Sequence, residues 1–394
     1  DKEVEADPKD TMPLYGQAHK FNLIDMKGLE YDHTAWNDLL NQLTLNEQIK
    51  LLGNAYHGTI KIGSITKPKD LAEDGPMGVR KEYLNSSGWT LSFPSNVLLA
   101  ASFNDKLAEE VGELLGEDML HSGVSCLYGP SANLHRTVYG GRSFEYYSED
   151  GFISGMMAKA QVIGIQSKGC YVNMKHYALN DQESNRYGVA VWANEQSIRE
   201  VYLPAFEISA SQAKLTGLMS SFTRTGAVWS GAHKGLMTDI LRGEWGFDGF
   251  VLSDCAWRPY MGVVDGVMAG NDCILDDGTD LTAYEAARTN ATVAQAMRQA
   301  VHRILYVTVN TCAMNSYSAN TRIIPIRVWW QNLVLGVQIG FAALTLIALS
   351  LTVLAFLFHK KIESETPVRK KETGFGGVGV DVFAKEKGDN IAYS

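Results

Sequence analysis

Residues 246–254 read Gly-Phe-Asp-Gly-Phe-Val-Leu-Ser-Asp, so a short apolar run ends in a single carboxylate. The run 250–252 is bounded by glycine and rich in β-branched or aromatic side chains, which is typical of a buried strand. Asp254 then lies at the C-terminal end of that strand. In (β/α)8 barrels the residues at strand C-termini form the active site. The stretch therefore predicts that Asp254 is a catalytic residue, and the alternative is an aspartate that caps the next helix.

Segments of strand and helix character alternate over most of the chain. The predicted strands are residues 124–128, 170–174, 217–222 and 250–253, and the predicted helices are residues 105–120, 150–166 and 195–213. Residues 36–52 carry leucines at helical spacing and predict one or two further helices. This alternation is typical of βαβ units and a parallel sheet, whose strand ends are left to carry chemistry. The pattern alone leaves open a closed barrel or an open doubly wound sheet.

A second feature is the apolar stretch 328–358, which contains no Asp, Glu, Lys or Arg. About 20 apolar residues suffice to cross the hydrocarbon core of a bilayer. Trp329 and Trp330 stand where an interfacial aromatic belt is expected. We therefore predict a single C-terminal transmembrane helix over 328–358.

Basic residues on either side of this stretch predict its orientation. They are Arg322 and Arg327 before it, and Lys360, Lys361, Arg369, Lys370 and Lys371 after it. Because cytoplasmic flanks carry the excess of Lys and Arg, the tail 359–394 is predicted to be cytoplasmic. The prediction is thus a single-pass protein of the cell membrane whose main domain is extracytoplasmic.

Composition excludes some classes of partner. The 394 residues carry a formal net charge of −9, and the basic residues do not cluster on any predicted folded face, so nucleic acid is not a predicted partner. The aspartates of the loop 272–280 lack EF-hand spacing and predict a solvated rim rather than a calcium site.

Five cysteines are spread along the chain, namely Cys126, Cys170, Cys255, Cys273 and Cys312. Their odd number and wide spacing fit neither a zinc pattern nor a disulfide framework. We therefore predict that they are small buried hydrophobic residues. Cys255 follows Asp254 directly, but no histidine-rich signature beside it supports a nucleophilic role.

A second polar cluster follows the strand predicted at 170–174. Lys175 and His176 leave that strand, and Arg186 comes shortly afterwards. Charged donors at a barrel mouth suit hydroxyl-rich ligands, because charge-assisted hydrogen bonds are the stronger ones. Taken singly each side chain is more often structural, but together with Arg142 and Asp254 they indicate a ligand site.

Five strings in the sequence share one resemblance. They are EDGPMGVR (73–80), GPSANLHR (129–136), GGRSFEYYSEDGFISG (140–155), KHYALNDQESNR (175–186) and LRGEWGFDGFVLSD (241–254). In order and spacing they resemble the retaining glycoside hydrolases of family 3, of the β-glucosidase-like kind, over about residues 35–315. The hexosaminidase branch of that family has a His-rich loop after the Lys-His pair, and residues 177–181 do not look like it. The resemblance implies a (β/α)8 TIM-barrel-like domain with no metal or organic cofactor.

The resemblance also implies roles for individual residues. Asp254 falls on the catalytic nucleophile, and the residues that fall on the −1 sugar site are Asp74, Arg142, Lys175, His176 and Arg186. Nearby cations would keep Asp254 ionised. Trp257 is a candidate sugar platform, with a core role as the alternative. Without the resemblance, Asp74 is equally a turn residue.

Three further points concern the second carboxyl group and departures from the family. Glu145 and Glu149 could be taken for the acid, but in the family this segment orders the arginine-bearing loop. Phe222 stands where many members have Tyr, and Ser143 where Asn is frequent. In β-glucosidase-like members the acid/base usually comes from an α/β-sandwich domain, which this stretch does not contain. Because the chain begins at Asp1 without an export signal, we expect that domain upstream.

These observations combine into one predicted organisation. The predicted segments are a linker (1–30), the family 3 barrel (31–316), a juxtamembrane linker (317–327), the transmembrane helix (328–358) and the tail (359–394). The predicted function is exo-acting, retaining hydrolysis of terminal β-linked glucosyl or xylosyl residues of an oligosaccharide or glycoside. A non-catalytic, membrane-anchored carbohydrate-binding or scaffold protein is the alternative from another class, and a transglycosylase would share every residue named.

Overall fold

The computed structural model describes residues 7–80, 90–255, 258–278, 280–315 and 329–365. Contacts divide the chain into two compact units, Asp1–Thr321 and Arg322–Ser394, which are described separately below. Every strand among the described residues belongs to the first unit, and the described part of the second unit is one helix.

Parallel strands form the centre of the first unit. The strands are β1 (Ala72–Asp74), β2 (Cys126–Tyr128), β3 (Tyr171–Val172), β4 (Met174–Tyr177), β5 (Ala190–Val191), β6 (Gly217–Ser220), β7 (Arg224–Thr225), β8 (Val228–Trp229) and β9 (Phe250–Ser253). β1, β2 and β3 pair in parallel, as do β4, β6 and β9, and β5, β7 and β8 form a small separate sheet. Only Asn173 separates β3 from β4, so the large strands follow the order β1, β2, β3/β4, β6, β9.

Two irregular segments connect β9 back to β1 and so close the strands into a ring. Cys273 forms a parallel bridge to β9, and the next residue, Ile274, donates from its backbone N to Leu52 O at 2.8 Å. The chain after Leu52 reaches His57, whose carbonyl accepts from Ala72 N of β1 at 3.1 Å. The architecture is TIM-barrel-like, as predicted. It differs from eight equal βα units, because the described ring has five regular strand positions and two irregular ones.

Helices cover the outside of the ring. They are α1 (Ala35–Gln42), α2 (Leu45–Gly53), α3 (Asn96–Ala101), α4 (Asp105–Ser122), α5 (Gly151–Ser167), α6 (Glu195–Ser197), α7 (Pro204–Gln212), α8 (Val263–Ala269) and α9 (Ala291–Val309). Short 3-10 turns occur at Leu23–Met26, Gly63–Ile65, Ser230–Ala232, Thr282–Arg288 and Cys312–Met314, and π-helical segments at Ile198–Tyr202 and Gly235–Glu244. The predicted helices are confirmed, although 195–213 is built from three consecutive pieces.

Small residues and caps explain the packing of α4 on α5. The side chain of Asn104 accepts from Leu107 N at 3.1 Å and caps α4, and Asp150 caps α5 in the same way. A Cβ at Gly112 would lie 2.3 Å from a backbone oxygen of α5, and one at Gly164 would lie 2.2 Å from a backbone oxygen of α4. The two helix backbones therefore approach as closely as glycine alone permits.

Buried side chains alternate between two apolar cores along β2, β3, β6 and β9. Val251 packs in the core shared with α4, α5 and α7, whereas its neighbours Phe250 and Leu252 pack in the core shared with α1, α2 and α9. This alternation follows from the two-residue period of a strand. It explains why the run 250–252 is apolar throughout and not alternately polar.

Residues 7–30 differ from the predicted linker. Leu23 and Met26 are fully buried, Gly16 N donates to Leu43 O at 3.1 Å, and Gly28 N donates to Asn310 Oδ1 at 3.1 Å. The described part of this segment therefore packs against α1 and the end of α9 as part of the barrel unit.

Asp272 corrects the prediction of a solvated rim. Its side chain is buried and accepts from Arg242 Nη2 and from Arg303 Nη1, each at 2.7 Å. Its Oδ2 also accepts from Val251 N of β9 at 2.7 Å. A buried carboxylate is tolerated only when its charge is paired and its lone pairs are used, as they are here. Asp272 therefore helps to fix the strand that leads to Asp254.

The second unit contains one described helix, α10 (Trp329–Glu365). It is long and apolar enough to cross a membrane by length and composition, with a mean hydropathy of 2.5 in its most apolar window. At 1.5 Å per residue its 37 residues measure about 55 Å, against about 30 Å for a hydrocarbon core. The helix extends beyond the predicted span 328–358. Residues 317–327 and most of the predicted tail lie outside the described residues.

Candidate active site

A cavity of about 760 Å³ opens at the C-terminal ends of the central strands. Asp74 is the last residue of β1, Lys175 and His176 lie within β4, and Asp254 directly follows β9. Parallel strands bring their carboxyl ends to one edge, so residues far apart in the sequence meet there. The cavity also receives Arg142 and Arg186 from the loops after β2 and β4.

The backbone of β6 holds Asp254 in place. Asp254 N donates to Ser220 O at 3.0 Å, and Asp254 Oδ1 accepts from Cys255 N at 2.7 Å. Among the residues that the structure describes, none donates a hydrogen bond to Oδ2, and His176 Nε2 lies 3.7 Å from it. Among the described residues the next helix begins at Val263, nine positions after Asp254, so Asp254 does not cap it. The carboxylate thus keeps one oxygen uncommitted at the cavity.

Burial dominates the electrostatics of Asp254. Only 6% of the residue is exposed, and desolvation raises the pKa of its carboxyl group to about 6. The hydrogen bond from Cys255 and the charges of Arg142, Lys175 and Arg186 oppose this rise without cancelling it. From the sequence we expected nearby cations to keep Asp254 ionised. The structure adds the larger cost of burial, and Asp254 is still mostly ionised at neutral pH.

His176 is the neutral partner in this group. Its burial, followed by the charges of Arg142 and Lys175, lowers the pKa of the imidazole well below its usual value. Asn133 holds the residue, since its Oδ1 accepts from His176 N at 2.9 Å and its Nδ2 donates to His176 O at 3.0 Å. The contact between His176 and Asp254 is therefore not an ion pair but that of a neutral imidazole beside a carboxylate.

A chain of ion pairs lines the opposite side of the cavity. Lys175 Nζ lies 2.5 Å from Asp74 Oδ1 and 4.0 Å from Glu145 Oε2. Glu145 also pairs with Arg142 Nε and accepts from Ser131 Oγ at 2.7 Å. Burial raises the pKa of Asp74, but the charge and hydrogen bond of Lys175 outweigh it and lower that pKa to about 2. The pKa of Glu145 is also lowered, since Lys175 and Arg142 outweigh its burial. Both carboxyl groups are thus ionised at neutral pH.

Arg186 is oriented by a carboxylate and two aromatic rings. Its Nη1 donates to Glu183 Oε2 at 3.0 Å, and its guanidinium lies 5.0 Å from the ring centroid of Phe222 and 5.2 Å from that of Tyr187. Glu183 Oε1 also lies 4.0 Å from Arg142 Nη1. Glu183 therefore links the two arginines at the mouth of the cavity.

The structure brings together Asp74, Arg142, Lys175, His176, Arg186 and Asp254, as the sequence predicted. Trp257 lies outside the described residues. Glu149 lines a different cavity, and Ser143 does not line this one. The sequence analysis missed Arg80, whose Nη1 lies 3.3 Å from Asp74 Oδ2. It also missed Asn133 and Glu183, although both stand within the matched strings.

Comparison with known proteins assigns the family. Residues 39–307 match the glycosyl hydrolase family 3 N-terminal domain. The chain belongs to glycoside hydrolase family 3. It is 34% identical to a β-glucosidase of Rhizobium radiobacter over 276 residues, which cover 68% of this chain and 33% of that protein. It is 38% identical to an exo-α-(1→6)-L-arabinopyranosidase of Bifidobacterium longum over 225 residues, which cover 55% of this chain and 30% of that protein.

Solved structures of family 3 members share the fold. β-Glucosidase 3B of Thermotoga neapolitana in complex with α-D-glucose superposes with a TM-score of 0.66 and 33% identity, covering 72% of this chain and 44% of that one. A β-glucosidase of Bifidobacterium adolescentis gives a TM-score of 0.64 and 30% identity, covering 72% of this chain and 42% of that one. The chain spans about a third of the length of the curated relatives named above.

The buried charge of Asp254 predicts a pH-dependent gain in stability for Asp254→Asn. A folded-state pKa near 6, against an ordinary value of 3.8, means that folding disfavours the ionised carboxylate. The stability that the protonated group contributes is complete below pH 3.8 and is lost as the pH rises through 6. At pH 7 the asparagine variant should therefore resist urea unfolding better than the natural chain, by about 3 kcal/mol at most.

The control for this measurement is Asp239→Asn, which neutralises an exposed carboxylate paired with Lys234. Its unfolding curve should stay close to that of the natural chain at each pH. A pH-independent effect of Asp254→Asn, or a loss of stability at pH 7, would contradict the electrostatic account of the site.

Proposed function

We propose that this chain is the barrel of a retaining, exo-acting glycoside hydrolase that cleaves terminal β-linked glucosyl or xylosyl residues. The observation that carries the proposal is the buried carboxylate of Asp254, which has one uncommitted oxygen in a polar cavity at the strand ends. Membership of family 3 supports the reaction class. The proposed substrate rests on the resemblance to β-glucosidase-like enzymes and on the β-glucosidase relative. The relative named as an exo-α-(1→6)-L-arabinopyranosidase is the reason why the sugar is proposed separately from the reaction class.

In the proposed mechanism Asp254 Oδ2 attacks the anomeric carbon of the terminal sugar. The bond to the leaving oxygen breaks as a covalent glycosyl-enzyme forms, and water later releases the sugar with overall retention. Asp254 has to be ionised for the attack, which its pKa of about 6 allows at neutral pH. The neutral imidazole of His176, 3.7 Å away, adds no charge that would pair with the carboxylate and weaken it as a nucleophile.

The ion-pair chain is proposed to hold the hydroxyl groups of the −1 sugar. Asp74, with a pKa of about 2, would accept hydrogen bonds as a carboxylate throughout the physiological range. Lys175, Arg142 and Arg186 would donate charge-assisted hydrogen bonds, which are stronger than neutral ones. Because these side chains are already held by one another, little conformational freedom is lost when the sugar binds. His176 and, outside the described residues, Trp257 complete the proposed subsite.

The general acid is proposed to come from outside this stretch of chain. Among the described residues, the carboxyl groups that line the cavity are Asp74, Glu145 and Asp254. Asp74 and Glu145 are ionised, and a general acid must hold a proton at the working pH. An α/β-sandwich domain, which the family resemblance implies, is the proposed source of the acid/base.

Substitution of Asp254 by Asn tests the proposed nucleophile. In the full-length protein the variant should lose at least about a thousandfold in turnover of an activated aryl β-glucoside. The leaving group of this substrate needs little protonation, but its anomeric carbon still has to be attacked by a carboxylate. The control variant Asp239→Asn, which neutralises a remote and exposed carboxylate, should retain full turnover. Initial rates from released phenolate measure both. Near-normal turnover by Asp254→Asn would refute the nucleophile.

One observation favours a second candidate, a non-catalytic carbohydrate-binding protein. The described cavity contains no carboxyl group in a state to act as the acid, and a binding protein has no need of one. The same cavity, however, carries Asp254 at a destabilising cost that binding alone does not explain. Sugar binding without turnover of the activated glycoside by the natural full-length protein would favour this second candidate.

We also propose that α10 anchors the barrel in the cell membrane, with the barrel extracytoplasmic and the tail cytoplasmic. Support comes from its length, its apolar composition and the excess of basic residues after it. A helix that spans a bilayer satisfies every backbone polar group internally.

Charges in the middle of α10 should abolish membrane retention. Arginine costs about 2.5–3.5 kcal/mol at the centre of a spanning helix, so Leu344→Arg combined with Ile347→Arg should release the protein into the supernatant after alkaline carbonate extraction. The natural protein and a control with Ser364→Arg, near the polar end of the helix, should stay in the membrane pellet. Extraction of the natural protein would contradict the anchor.

A further inference from the structure

Two thiols that are far apart in the sequence meet at the end of the barrel opposite the candidate active site. Cys170 Sγ and Cys312 Sγ are 3.7 Å apart. Cys170 immediately precedes β3, and Cys312 opens the 3-10 turn Cys312–Met314 that follows α9. The backbones are also in contact, because Cys312 N donates to the carbonyl of Gly169 at 2.7 Å. This backbone contact holds the two cysteine-bearing segments side by side, and closeness of the two backbones is one condition for a disulfide.

We propose that Cys170 and Cys312 form a disulfide bond when the protein meets an oxidising thiol–disulfide buffer. The proposal goes beyond the expectation that all five cysteines serve as small apolar residues. A disulfide is about 2.05 Å long, so the sulfurs have less than about 2 Å left to close, within reach of side-chain rotation and a small backbone shift. The oxidant is a small-molecule disulfide such as oxidised glutathione.

Exposure gives the two sulfurs different roles in the exchange. Cys312 is half-buried and lines a cavity of about 400 Å³ together with Lys69, Gly123 and Ser125, whereas Cys170 is fully buried. A small-molecule disulfide can therefore reach Cys312 first. The sulfur–sulfur contact with Cys170 also lowers the pKa of the Cys312 thiol and so favours its thiolate.

The chemistry then proceeds in two exchange steps. The Cys312 thiolate attacks one sulfur of oxidised glutathione, the S–S bond of glutathione breaks, and one glutathione leaves as a thiol carrying the proton of Cys312. Cys170 next attacks Cys312 Sγ, and the second glutathione leaves with the proton of Cys170. Two protein thiols are oxidised to one disulfide, and one glutathione disulfide is reduced to two thiols.

The bond would fasten the turn that follows α9 to the start of a central strand, because Cys312 opens that turn and Cys170 leads into β3. The cross-link joins positions 142 residues apart, and long loops lose the most unfolded-state freedom when they are closed. Cys255 lies at the opposite, active-site end of the barrel.

Mass spectrometry of the full 394-residue chain after incubation with oxidised glutathione tests the proposal. After remaining thiols are alkylated in denaturant and the chain is digested, the main cross-linked species should join the peptides of Cys170 and Cys312. The oxidised chain should melt about 5 °C or more above the reduced chain, and a reducing agent should reverse the shift.

Single substitutions separate the two roles. Cys170→Ser should stop at the mixed disulfide, with one glutathione on Cys312, whereas Cys312→Ser should show neither adduct nor cross-link at these positions. Cys126→Ala is the matched control and should keep the 170–312 cross-link. A natural chain whose Cys170 and Cys312 are both alkylated after oxidation, or a dominant bond between Cys170 and Cys126, would overturn the proposal. The cross-links of the natural chain are measured without any variant, so they test the proposal even where a substitution prevents folding.

Discussion

The candidate site depends on one electrostatic constraint, namely that a buried carboxylate has to remain mostly ionised. Burial raises the pKa of Asp254 to about 6, and the charges of Arg142, Lys175 and Arg186 oppose a further rise. Those cations cannot themselves be buried without partners, so Asp74, Glu145 and Glu183 pair with them. The ion-pair chain around the cavity is therefore a physical consequence of placing an ionised carboxylate in a protein interior.

The barrel supplies the positions that this balance requires. Parallel strands deliver β1, β4 and β9 to one edge, and the backbone of β6 fixes Asp254 through Ser220. Asp272, buried between Arg242 and Arg303, holds the start of β9 from the other side. The energy that these structural contacts contribute offsets the destabilising cost of Asp254, in the way that stability and activity often oppose each other at active sites.

The local pattern predicted the strands and their polar ends, and the resemblance predicted the barrel-like architecture and most of the charged residues that line the cavity. Apolar runs such as 250–253 end in polar side chains, and the matched strings contain those side chains in order. Three things depended on tertiary contacts and could not be read in this way. The irregular closure at His57 and Ile274 has no periodic pattern, the burial of Asp272 depends on two arginines distant in the sequence, and the proximity of Cys170 to Cys312 appears only when α9 returns to β3. The pKa of Asp254 likewise needed its burial as well as its neighbours.

Direct labelling of the nucleophile is the measurement that tests the central claim. The folded chain would be incubated with a 2-deoxy-2-fluoro glucosyl fluoride, whose leaving group needs little help from an acid, and its mass determined before and after digestion. The account predicts a gain of one fluorosugar on the peptide that contains Asp254. No labelling by the glucosyl, xylosyl and N-acetylglucosaminyl reagents, or a label on another residue, would contradict the assignment of Asp254 as a nucleophile.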